Sequence, residues 1–501
     1  MRGGTRQPLD PSAPGLGAGS LSGIAATAAG VLSAAVTTPV LLYALGVSQY
    51  GVWVMLVSIA GYAQLADFGL GFSVGRFVGE YRIQRRTRAI RSYLGSAAVI
   101  YGCVFPAILA VSGALGAVIP RIAGLPLSQR SGFLVAALVV GLATALAIGL
   151  ALLLNILHAY QRLPLANAVR AAYWVLLAPS SIGAALKGWG IVGLAATMAG
   201  TTAIVFAATL MLTIRLVPDF RPTRPSAPYL RQAISYAGWM FAISLSATTA
   251  FETSNVIIAG FLGIGAVAAY AVALRLTRTL TQFVHKVADV LFPFYAGMRA
   301  ANDIPAMRRN FLLTARLELA GGGAVVLLLG FAGIATLRLW VGQGNVLILS
   351  AFALAIALVA LDVVAYPASV LVTAAGGEKS AALINLAQAG AGIAFALVLV
   401  RPFGVAGVIG GAVLAQSATT FWWLPALALR TVKVGWRAYL RSVVVPVLLS
   451  LVPGLVLGAV TNLVVHSPFA AASLALMAYA ATYFKMGAEP AERLWIRRHT
   501  R

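Results

Sequence analysis

From Leu21 to Met486 the chain alternates about fourteen times between long apolar stretches and short polar gaps. One stretch, Phe133 to Leu157, contains no charged residue. A hydrocarbon core about 30 Å thick is crossed by roughly 20 apolar residues in a helix, each rising about 1.5 Å. Lipid offers no partners to the backbone, so segments of this length must satisfy their own amides and carbonyls as helices. The pattern predicts an all-α polytopic membrane protein with spans at residues 22–46, 51–79, 93–119, 133–157, 165–186, 190–214, 232–261, 265–297, 311–337, 346–373, 382–400, 403–428, 440–462 and 467–485. These group as a six-helix lobe (21–214), a second six-helix lobe (232–428) and two further spans (429–486). A Pro/Arg-rich cytoplasmic linker, 215–231, separates the lobes; a flexible tail (1–20) and a basic tail (487–501) flank them.

Basic residues orient the scheme. Of 36 Lys and Arg, 27 fall in alternate gaps, span ends or the termini, five in the opposite gaps, and four (Arg76, Arg275, Arg278, Lys286) inside spans. The densest cluster is Arg82, Arg85, Arg86, Arg88 and Arg91. Basic loops stay in the cytoplasm, so this alternation predicts a multi-pass cell-membrane protein with both termini inside.

Composition changes the picture little. Sixty per cent of residues are hydrophobic and 10% charged, against about 25% charged in soluble domains. The net charge of +24 sits in short loop clusters, which predicts attraction to anionic membrane lipids rather than a nucleic-acid partner. Cys103 is the single cysteine; it forms no intrachain disulfide and reads as a small core residue. The first span is too long for a cleaved signal peptide. No loop is large enough to carry the acids and bases of a soluble catalytic domain, and no metal site is indicated, so the expectation is a non-enzyme.

Charges inside spans carry the candidate chemistry, because each costs roughly 2.5–3.5 kcal/mol unless paired or facing a polar cavity. In the eighth span, Arg275, Arg278, Gln282, His285, Lys286 and Asp289 fall within an arc of about 100°. Counted from the outer turn at Gly263, Arg275 and Arg278 lie about 18 and 22 Å deep. This cationic stripe fits an anionic, phosphate-bearing headgroup, which arginine's planar fork holds well. Lys286 and Asp289 also have the spacing of an ion pair. In the seventh span Ser244, Thr248, Glu252 and Asn255 share a face; Glu252 is either a salt-bridge partner for Arg275 or a proton or sodium ligand. Asp67 and Asp362 are each either a coupling-ion ligand or a helix cap. Arg316 and Glu318 are placed to snorkel to the interface, and Arg76 and Glu80 to pair. Gly188, Gly190, Gly193, Gly404, Gly407, Gly410 and Gly411 are expected to let helices approach closely. A faint repeat links Leu45-Gly46…Tyr50 with Leu262-Gly263…Tyr270.

Tyr50-Gly51 followed by Leu65-Ala66-Asp67-Phe68-Gly69-Leu70-Gly71 and Arg76 resembles the second-helix signature of polysaccharide flippases. Asn255 to Gly263, Tyr270, Ala273-Leu274-Arg275 and Leu291-Phe292-Pro293 resemble that family's seventh and eighth helices. The resemblance to these O-antigen and exopolysaccharide lipid transporters, relatives of multidrug extruders and the lipid II flippase, extends in layout over nearly the whole chain. It implies two pseudo-symmetric lobes around a central cavity that flips an undecaprenyl-pyrophosphate-linked glycan outward, driven by protons, sodium or the membrane potential. A polysaccharide polymerase and glycosyltransferases are the implied partners. Many members carry Asp where this chain has Asn255, which leaves Glu252, one turn earlier, as a substitute. Two rivals stand beside this reading: a drug or cation antiporter of the same superfamily, which requires an acidic cavity, and a non-transporting scaffold for polysaccharide synthesis.

Overall fold

The computed structural model describes residues 14–65, 70–341 and 346–487. Among them the chain is a succession of helices. Spans 1 and 2 form one run, Pro14–Gln64, broken at Gly46, and span 2 continues in Leu70–Ile83. Spans 3 to 6 are Thr87–Ile122, Leu127–Ala159, Leu163–Leu186 and Gly190–Leu216. Spans 7 to 10 are Ala227–Leu262, Ile264–Ala300, Ile304–Val341 and Val346–Ala374. Spans 11 and 12 share Glu378–Ala418, broken at Gly404, with Thr420–Thr431 completing span 12. Span 13 covers Trp436–Val465, and span 14 is Pro468–Thr482 with a wide turn over Tyr483–Gly487. The first helix begins at Pro14, inside the segment expected to be tail.

Nine segments among the described residues are long and apolar enough to cross a membrane. Two of them, Ala25–Gln64 and Glu378–Thr431, have 40 and 54 residues, about 60 and 80 Å of helix. Each is long enough to cross twice and turns at its glycine. Span 8, with its embedded charges, is not among the nine.

The turns repeat one device. At each of the turns after spans 2, 4, 8, 10 and 12, a left-handed residue follows the helix: Arg85, Gln161, Asn302, Gly376 and Lys433. The next amide then reaches back to the carbonyl five residues earlier, as in Arg86 to Tyr81, Arg162 to Leu157, Asp303 to Met298, Gly377 to Val372 and Val434 to Leu429. This closes the helix end by satisfying carbonyls that would otherwise lack partners. The turns between spans 1 and 2 and between spans 7 and 8 use a different conformation. Gly46 has φ 73 and ψ 166, and Gly263 has φ 84 and ψ 168. Side chains are excluded from that region of backbone space, so the faint sequence repeat marks a matched turn in the two halves.

The chain forms two compact units, Met1–Ser244 and Leu245–Arg501; the division falls inside span 7, downstream of the 215–231 linker. In unit 1, span 4 is central and packs on spans 1, 2, 3 and 6. That position explains its charge-free sequence, since a helix apolar all round belongs in an interior. Phe133, Ala136, Val140, Ile156 and Leu157 are fully buried. In unit 2, span 10 takes the same position against spans 8, 9 and 12, and also meets span 11. Spans 13 and 14 pack together and onto span 9, where the Tyr479 hydroxyl donates to the Ala320 carbonyl at 2.9 Å.

The linker is fastened to unit 1. Thr223 donates its amide to the Arg91 carbonyl at 3.1 Å, and the Ser226 amide donates to Ser96 Oγ at 3.0 Å. A Cβ at Gly95 would lie 1.8 Å from the Thr223 carbonyl oxygen, so only glycine lets the linker cross here. The Tyr160 hydroxyl donates to Asp219 at 2.7 Å; burial, reinforced by that carboxylate, raises its pKa above the ordinary value.

Two sequence expectations are corrected. Cys103 is exposed, facing away from the packed interior rather than filling it. Gly188 and Gly190 are left-handed turn residues with open space around their α-carbons, whereas Gly407 and Gly411 do permit close approach, to the Leu399 and Ala396 backbone.

Candidate membrane-embedded polar site

The polar residues of unit 2 converge because spans 8, 9, 10 and 12 meet around span 10. His285 is the hub. Its Nδ1 lies 3.0 Å from Glu318 of span 9 and its Nε2 lies 2.9 Å from Asp362 of span 10. Glu318 is fully buried, and its second oxygen accepts the Ala288 amide at 3.2 Å. Asp362 is 44% exposed at its side chain, and Gln416 of span 12 donates to its other oxygen at 3.5 Å.

A second layer lies toward the C-terminal end of span 8. Lys286 pairs with Asp289 at 2.8 Å, and the Tyr366 hydroxyl donates to the same carboxylate at 2.6 Å. A buried carboxylate without partners is very costly in an apolar medium. The sequence meets that cost with one imidazole between two acids. A neutral imidazole has one N–H and a protonated one has two. Only the doubly protonated ring donates at both ends, so a proton leaving it must be taken up by a carboxyl group or break one contact.

The N-terminal part of span 8 is different. Arg275 and Gln282 are exposed and Arg278 is half-buried. Arg275 has no hydrogen-bond or ion-pair partner among the described residues, while Arg278 lies within electrostatic reach of Tyr270, Glu252 and Asp362. Tyr270 hydrogen-bonds Ser254. Asn255 is buried and donates to Glu252 at 3.4 Å, which ties the two candidate residues of span 7 together.

The stripe predicted from helical spacing therefore divides in two. Arg275 and Gln282 are exposed, while Arg278 is half-buried among Tyr270, Glu252 and Asp362. His285 is not available to a ligand: both ring nitrogens are occupied by carboxylates, so its expected contact with an anionic headgroup is corrected to a link between spans. Lys286 is held by Asp289, as its spacing predicted. Arg316 and Glu318 were expected at the interface; both are buried, at 2% and 0% exposure, because their helix begins at Ile304, more than three turns earlier, and packs on spans 8 and 10. Glu318 is the site residue that sequence reasoning missed, and its signal was the one acid of a helix whose other charges, Arg308, Arg309, Arg316 and Arg338, are all basic. Asp67 lies outside the described residues, as does the Arg76 side chain.

Comparison with known proteins fits this architecture. The solved structure of lipid II flippase MurJ in an inward closed conformation superposes with a TM-score of 0.67 at 11% identity, covering 93% of this chain and 98% of that one. The MATE multidrug transporter DinF-BH in complex with R6G gives 0.65 at 16% identity, covering 88% and 99%. An inward-facing MATE family transporter of the MOP superfamily gives 0.64 at 14%, covering 80% and 96%. No curated protein sequence matches. At these identities the likeness shows the fold, that of a multi-pass membrane transporter. Residues 16–298, more than half of the chain, match the family of polysaccharide biosynthesis proteins, and the chain belongs to that family.

Proposed function

We propose that this protein flips a lipid-linked oligosaccharide, carried on undecaprenyl pyrophosphate, from the cytoplasmic to the outer leaflet by alternating access. The observation that carries the proposal is the exposed Arg275 on a transporter fold of a polysaccharide family, with Arg278 one turn along the same helix. A cation at that depth in the membrane persists where it meets an anion or water, and a pyrophosphate supplies the anion. Both termini lie in the cytoplasm in this reading, from the distribution of basic residues.

The Glu318–His285–Asp362 chain supports coupling to protons, since three titratable groups share hydrogen bonds across three helices. Glu252 beside Arg278 is the second candidate for coupling, to protons or sodium. The same acids favour the rival reading, an ion-coupled antiporter for cationic drugs; the exposed Arg275 weighs against it.

The test is glycan export by cells whose own flippase is deleted. Arg275→Ala/Arg278→Ala should abolish export at equal membrane abundance, and the corresponding Lys pair should restore it in part because a point charge lacks the bidentate fork. Full export by the double Ala protein would overturn the assignment.

A further inference from the structure

We infer that the cytoplasmic turn between spans 2 and 3 is a built binding site for a phosphate group, separate from the span 8 arginines. Arg85, Arg86, Thr87, Arg88, Ser92 and Tyr229 line an open depression of about 560 Å³, with the three arginines exposed. Arg85, Arg86 and Arg88 bring three positive charges to one lining, and like charges held near one another repel unless an anion offsets them. Among the described residues none of the three has a carboxylate within ion-pairing distance. The nearest acid in sequence, Glu80, accepts from Gln84.

The turn is organised rather than merely charged. Arg85 is held in the left-handed conformation at φ 55, which costs about 1 kcal/mol for a residue with a Cβ. Arg86 is fixed by a bond to Gln84 at 3.4 Å and by the Tyr81 ring beneath its guanidinium at 5.5 Å. Tyr229 forms the far wall and packs edge-on against Tyr81 and Tyr93, with ring centroids 5.8 and 6.0 Å away. Tyr81 and Tyr93 are themselves anchored, to Gln232 at 2.8 Å and Ser73 at 3.0 Å. Hydroxyls of Thr87 and Ser92 add neutral donors, so the donor set is the one that recognises phosphate oxygens.

The phosphate can come from an anionic lipid headgroup of the inner leaflet or from a free phosphate.

The experiment uses the full chain in zwitterionic nanodiscs. Binding of dioctanoyl phosphatidylglycerol, dioctanoyl phosphatidylcholine and inorganic phosphate is titrated by native mass spectrometry and thermal shift. Phosphatidylglycerol or inorganic phosphate should bind saturably and phosphatidylcholine should not. Arg85→Gln/Arg88→Gln should weaken binding at least about tenfold, whereas Arg308→Gln/Arg309→Gln, exposed in the first turns of span 9, should leave it intact. Binding of both anions assigns a general phosphate site, and binding of the lipid alone assigns the headgroup as the source. In the unsubstituted chain, amide exchange over residues 85–92 should slow with the bound anion, a readout independent of how the variants fold. Equal loss in both variants, or no saturable binding of either anion, would overturn the site.

Discussion

The imidazole of His285 lies flat against the ring of Tyr366, with centroids 3.7 Å apart and planes 14° from parallel. The stack makes the two layers of the unit 2 site one object. His285 reaches Glu318 and Asp362, while Tyr366 reaches Asp289. Tyr366→Phe should keep the stack and lose only the bond to Asp289, costing about 1 kcal/mol. Tyr366→Leu should lose both and slow transport further. Export rates of the two variants at matched abundance check the order; equal rates would separate the layers.

Removing the hub should be costly. His285→Ala strands Glu318 in the interior, and an uncompensated buried charge destabilises by roughly 3–5 kcal/mol. His285→Ala combined with Glu318→Gln should recover part of that loss. Thermal unfolding of the detergent-solubilised proteins measures both.

The linker crossing at Gly95 gives a sharper steric test. A methyl group there would meet the Thr223 carbonyl, so Gly95→Ala should detach the linker from span 3. Limited proteolysis between Arg221 and Arg231 should accelerate, while Gly102→Ala, in open space on the same helix, should have no such effect.

Most of the fold was legible because the membrane imposes length and period together. The charge-free stretch of span 4 was legible as a membrane helix, although its central place became clear only from its packing. The paired turns at Gly46 and Gly263 were visible as a weak repeat. The site was legible only along one helix. Spacing placed Arg275, Arg278, His285 and Asp289 on one side of span 8, but a helical wheel carries no information about which neighbouring helix faces each residue. Asp362 therefore appeared as an isolated acid, Glu318 as an interfacial residue beside Arg316, and His285 as a ligand. The left-handed turns at Arg85, Gln161, Asn302 and Lys433 also left no mark, because none uses the glycine that normally signals one.

Orientation can be tested directly. In a Cys103→Ala background, Ser128→Cys, between spans 3 and 4, should react with an impermeant maleimide added to intact cells. Arg86→Cys should react only after the membrane is opened. Reaction of both from outside would contradict cytoplasmic placement of the arginine turn.

The central claim concerns what crosses the membrane. The decisive measurement is translocation of an undecaprenyl-pyrophosphate-linked oligosaccharide in proteoliposomes, followed by accessibility of the glycan to an external probe. An imposed potential adds about 2.3 kcal/mol per charge per 100 mV, and pH and sodium gradients are varied separately. The unsubstituted protein should move the glycan well above protein-free vesicles, faster when the potential or a proton gradient favours outward anion transfer. Arg275→Ala/Arg278→Ala should fall to the background. Movement at the background rate by the unsubstituted protein, or undiminished movement by the double Ala variant, would contradict the account.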